Sequence, residues 1–129
     1  MKKHKQHIAL AEVLNWTDCE YVGGLEDSKG LPPNDGTWFE TQRIWDAEKR
    51  WLPQFTTDLN VAAKVERILT DRYWNYEPNA LVPHLYLENL TKVVGSFTLS
   101  YAVVTATAAQ RMEAILKALG LWEEDNTHE

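Results

Sequence analysis

At 129 residues, 44% of them hydrophobic, the chain has the length and composition of one globular domain, large enough to bury a core unaided by disulfides or metals. A formal net charge of −6 argues against a general DNA or RNA binder, which needs Lys and Arg to neutralise phosphates. The lone Cys19 excludes an internal disulfide and a thiolate cluster, and no apolar run approaches the ~20 residues that a membrane span requires.

The N-terminus is basic and then apolar, but Glu12 interrupts the apolar part and no small-residue cleavage site follows, so no signal peptide is expected. Residues 4–15 predict a first helix with Ile8, Ala11 and Leu14 on one face and Trp16 covering its end. Residues 20–22 can form a short strand before Gly23-Gly24. Residues 23–52 then read as a loop-rich insertion, punctuated by Gly, Pro, Asn and Asp and partly helical toward its end. It contains no GxGxxG and no GK[ST] phosphate fingerprint.

A second helix opens at Thr57 as N-cap, with Leu59, Ala62, Val65 and Ile68 or Leu69 on its buried side. Strand-like sequence is expected next: residues 73–76, residues 84–87, and a hairpin of residues 90–94 and 97–104 around Gly95-Ser96. In the last of these, Phe97, Leu99, Tyr101 and Val103 alternate with smaller residues. The final helix carries both a start and a stop signal. Thr107 with Gln110 fits a capping box, Met112, Ile115, Leu116 and Leu119 form one stripe, and Gly120 suits a left-handed end with Leu121 folding back onto Leu116. The sum is an α+β single domain, residues 1–129, with a mainly antiparallel sheet covered by about three helices.

Three stretches together resemble a family: residues 10–16, the run Pro53-Gln54-Phe55-Thr56-Thr57-Asp58-Leu59-Asn60, and Ala106-Thr107-Ala108-Ala109-Gln110-Arg111 through Trp122. They are similar to the small phage and prophage proteins grouped as the phage ABA sandwich domain. The resemblance implies a three-layer α/β/α sandwich and a phage origin, with residues 27–52 falling outside it. It implies no established activity, so no catalytic residue is carried over.

The residues themselves present no nucleophile and base in a recognisable arrangement, and a non-enzymatic role without cofactor or metal is expected. Two features could instead hold a ligand. The helix N-termini at Thr57 and Thr107 offer backbone N–H groups to a phosphate or carboxylate, Arg72 and Arg111 could neutralise it, and Trp74 or Tyr76 could stack on a base. On the plainer reading Thr107 only caps, Arg111 pairs with Glu66 or Glu113, and Trp74 fills the core. The first functional expectation is therefore an accessory protein in the host cell cytoplasm that counters antiviral defence by sequestering a small anionic, nucleotide-like immune signal, as a possible homo-oligomer. The alternative is a protein-interaction module that inhibits a host or phage protein through an acidic, aromatic-rich surface, with Trp38, Trp45 and Trp51 as anchors. Neither reading involves a membrane.

Overall fold

The computed structural model describes residues 1–39 and 48–124. Their order is α1 (Lys3–Val13), β1 (Thr17–Val22), β2 (Asp27–Leu31), β3 (Arg50–Trp51), α2 (Leu59–Trp74), α3 (Pro83–Val94), α4 (Leu99–Thr105) and α5 (Ala108–Ala118). The chain is a mixed α+β protein with an antiparallel three-stranded sheet, and the described residues hold five helices rather than three. The described parts of residues 23–52, read as a loop-rich insertion, supply two of the three strands.

The sheet runs in the order β1-β2-β3. Val22 pairs with Asp27 across a tight connection in which the Leu25 N–H bonds to the Val22 carbonyl and Glu26 turns left-handed at φ 52°. The register slips between Thr17 and Glu20, where Asp18 also has positive φ, so β1 carries a bulge. Gly30 faces that bulge. A Cβ there would lie 2.8 Å from the Cys19 sulfur, so only glycine lets the two backbones approach. β3 adds two residues opposite Lys29 and Gly30, and the Lys49 ammonium ties it back to Asp18 and Glu20 at 3.2 Å each.

The apolar core gathers around α5. Met112, Ile115 and Leu116 are fully buried, with Leu90 of α3, Val65 and Leu69 of α2, and Leu10 and Ala11 of α1 in the same cluster. The capping box that opens α5 is present in both halves: Thr107 Oγ1 accepts from the Gln110 N–H, and Gln110 Oε1 accepts from the Thr107 N–H. An aromatic relay joins α1 to the segments on either side of β3. Trp16 meets Trp38 edge-on at 6.3 Å, Trp38 meets Phe55 at 6.2 Å, and Phe55 meets His7 at 5.5 Å.

Four helices end in the same way. Just past the helix an N–H reaches back to the carbonyl five residues earlier: Trp16 to Ala11, Glu77 to Arg72, Ser96 to Thr91 and Leu121 to Leu116. The residue before each of these takes a left-handed conformation, and those four residues are Asn15, Tyr76, Gly95 and Gly120. Gly and Asn are the usual occupants of that position, because a side chain there crowds the following carbonyl. Tyr76 is the exception.

The expectations for residues 73–104 need correction. Residues 73 and 74 form the last turn of α2. The proposed strands at residues 84–87 and 90–94 are one helix, α3, with Pro83 at its first turn and Gly95 closing it. The missing N–H of Pro83 costs nothing where a helix begins. The second hairpin arm is α4, whose buried residue is Ala102 while Leu99, Tyr101, Val103 and Val104 face solvent. The bulky residues that alternate are thus not the buried set. In α2 the N-cap is Asp58 rather than Thr57, and Leu59 is exposed.

Candidate functional site

The two helix N-termini expected to receive an anion are already engaged. Asp58 Oδ1 accepts from the Asn60 and Val61 N–H groups at 2.9 and 3.4 Å, which places the chain's own carboxylate at the positive end of α2. At α5 the capping box engages the Gln110 and Thr107 N–H groups.

Arg111 is partly buried and makes three structural contacts. Its guanidinium donates to the Val103 carbonyl, to the Ala106 carbonyl at 3.2 Å through Nε, and to Glu66 Oε2 at 3.5 Å. The same carboxylate oxygen accepts from the Tyr86 hydroxyl at 2.7 Å. Burial and the Glu66 charge push the Tyr86 phenol well above its ordinary pKa, so it remains a donor. The trio joins α2, α3 and α5, and Arg111 extends it to the end of α4. The pairing of Arg111 with Glu66 is the plainer of the two readings of that residue.

Arg72 is committed as well. Its Nη1 donates to the Val13 carbonyl at 2.6 Å, fastening α2 to the end of α1, and to the Asn79 carbonyl at 3.4 Å. Together with Asp35, Asp71, Glu77 and Trp38 it lines a cavity of about 270 Å³.

Trp74 and Tyr76 do not fill the core. Trp74 is 67% exposed and Tyr76 is 97% exposed. With Tyr73, Glu77 and Ala80 they line a shallow cavity of about 310 Å³ at the C-terminal end of α2. The Tyr73 and Trp74 rings stand edge to face, 5.1 Å apart at 74°. The structure therefore separates the expected ligand residues: Trp74 and Tyr76 share one cavity, Arg72 lines another, and Thr107 with Arg111 sits at the α4–α5 junction.

The three expected interaction anchors also part company. Trp38 is half buried in the aromatic relay, with the Lys64 ammonium 4.4 Å above its ring. Trp51 is exposed on β3, with Lys29 5.9 Å from its ring. Trp45 lies outside the described residues.

A surface that the sequence reading missed lies on α4 and its approach. Phe97 is fully exposed, Val104 is 80% exposed and Tyr101 60%, with Leu99 and Val103 beside them in sequence. The signal was available: no charged residue stands between Lys92 and Arg111. Such a run is normal inside a protein and unusual on its surface.

Cys19 is held protonated, its thiol pKa raised by burial and by the Glu12 and Asp18 charges against an opposing Lys49. Among the described residues no three His, Cys, Asp or Glu side chains group as a metal site would require, and no helix is long and apolar enough to cross a membrane. Comparison of the chain with protein-family models, curated proteins and solved structures yields no match.

Proposed function

We propose that this chain is a non-enzymatic interaction module, a phage or prophage accessory protein that acts in the host cytoplasm by docking on a protein of the host's defence. The observation that carries the reading is the exposed, charge-free stretch of α4 and its approach, in which Phe97, Leu99, Tyr101, Val103 and Val104 are each open to solvent. Apolar side chains that fold outward gain nothing for stability and gain free energy only when a partner removes them from water. Interface centres are depleted in charge and enriched in aromatics, as this face is. The partner that fits has an apolar groove with a basic rim, because the remainder of this chain carries a net charge of −6 and would steer it.

The three-layer stacking of the phage ABA sandwich belongs to the same proposal and comes from the resemblance alone. Sequestration of a nucleotide-like signal is the weaker reading. It needs free cations, and Arg72 and Arg111 are both bonded to backbone carbonyls.

The test compares capture from infected-cell lysate by the wild-type chain and by the Phe97→Asp, Val104→Asp double variant. Both positions are exposed, so the variant keeps its fold. A partner held by the wild type and released by the variant, confirmed with the purified partner, supports the reading. Equal capture by both, or no partner for either, ends it. Self-association of the pure protein that the variant abolishes would assign the face to a second copy instead.

A further inference from the structure

Tyr76 occupies the left-handed position that closes α2, at φ 57°, where the three equivalent helix ends have Asn15, Gly95 and Gly120. A side chain there costs conformational energy, and one that is 97% exposed recovers none of it by packing. An observed strain of this kind points toward use rather than stability. The left-handed turn is also what brings Tyr76 to the same cavity as Tyr73 and Trp74, with Glu77 and Ala80 completing the lining.

The electrostatics of that cavity have one sign. It sits at the C-terminal end of a 16-residue helix, where the backbone carbonyls present negative partial charge. The Glu77 carboxylate adds a full negative charge, and aromatic faces are themselves negative toward an approaching cation. Arg72, the basic residue in the last turn of α2, directs its guanidinium to the Val13 and Asn79 carbonyls and lines the neighbouring cavity, which shares Glu77 with this one. Three aromatic side chains and a carboxylate at a helix C-terminus suit a compact organic cation and repel a phosphate.

We infer that Tyr73, Trp74, Tyr76 and Glu77 form a half-cage for an alkylated ammonium group, with Tyr76 held in its left-handed conformation to complete it. This site is independent of docking through α4, and neither depends on the other.

Choline is the probe, and 3,3-dimethylbutan-1-ol, which has its shape but not its charge, is the control. The readout is the Trp74 indole N–H in an ¹H–¹⁵N spectrum at constant ionic strength. Choline should shift that signal saturably and the neutral alcohol should not. Trp74→Ala should weaken choline binding about fivefold, measured by calorimetry, as expected for one exposed cation–π contact. Glu77→Gln should weaken it in the same direction. Tyr76→Gly should raise Tm by about 3 °C while weakening binding, because it relieves the turn and opens the cage. A short trimethyl-lysine peptide that binds more tightly than choline would identify a polypeptide as the source of the cation; the reverse order would identify a small molecule. No saturable shift, an equal response to the neutral alcohol, or a Tyr76→Gly variant that binds choline as well as the wild type overturns the assignment.

Discussion

Arg111, in the first turn of α5, donates through its guanidinium to the carbonyl of Val103 in the last turn of α4. A cation at that point meets the negative end of α4 and satisfies carbonyls that the seven-residue helix leaves without an internal partner. Helices this short are unstable alone. The outward-facing apolar residues are therefore held in place by a partly buried charge outside their own stretch.

Replacing Arg111 with Met should accordingly loosen α4 before anything else. The substitution removes bonds to Val103, Ala106 and Glu66 while keeping much of the side-chain volume. The expected loss is about 2 kcal/mol, the usual scale for charge-assisted bonds to partly buried partners. Hydrogen exchange should show amides in residues 99–106 losing protection first. Uniform loss across all helices would mean that Arg111 supports the whole core rather than this corner.

Acid should weaken the fold through His7. Its ring is buried, its Nε2 lies 3.0 Å from Thr56 Oγ1, and its pKa is lowered from 6.5 to about 4 by burial first and the Lys3 charge second, with Asp27 opposing. Because the folded value lies below the unfolded one, the neutral ring contributes stability above pH 6.5, and that contribution is lost as pH falls from 6.5 toward 4. The loss is on the order of 3 kcal/mol at the lower limit. Urea midpoints measured at steps across that window should fall for the wild type and fall much less for His7→Gln. Parallel slopes would place the acid sensitivity elsewhere.

Gly30→Ala tests the bulge. The added methyl meets the Cys19 sulfur at 2.8 Å and the Thr17 carbonyl oxygen at 3.2 Å, so the β1–β2 pairing must open. A loss of roughly 1–3 kcal/mol is expected from overpacking of this kind. Adding Cys19→Ala should return only part of it, because the backbone contacts remain. Full recovery in the double variant would mean that the sulfur alone made the site tight.

Gly95→Ala isolates the cost of a side chain in the left-handed turn. Nothing lies within 4 Å of the new carbon, so the loss of about 1 kcal/mol expected from thermal denaturation reflects backbone conformation alone. An alanine tolerated without loss would remove the argument that Tyr76 is strained.

The parts of the fold that could be read from the chain are those whose local signals agree with their packing. α5 has a capping box, a stripe and a glycine stop, and all three are used as expected. The core of α2 follows from its apolar spacing in the same way, whereas α1 stands where expected but buries His7 and Leu10 beside Ala11, with Ile8 only half-buried. β2 could not be read so, because Asp27-Ser28-Lys29-Gly30-Leu31 lacks any β-branched residue and is a strand through its partners on both sides. Residues 97–104 misled for the opposite reason. Their alternation of large side chains is strand-like, yet the burial that organises them is that of Ala102 and Ala106, which sequence hydrophobicity ranks below Phe97 and Tyr101. At the candidate sites the sequence offers Trp74 and Tyr76 as alternatives without their exposure, and Glu77 is their chain neighbour, whereas the engagement of both arginines depends on contacts made by residues distant in the chain.

The two edge strands of the sheet are each poor templates for growth. β3 offers only two residues, and β1 is broken by the bulge at Asp18 and Cys19, which throws its ladder out of register. The described sheet thereby lacks the regular borders that invite strand-by-strand accretion.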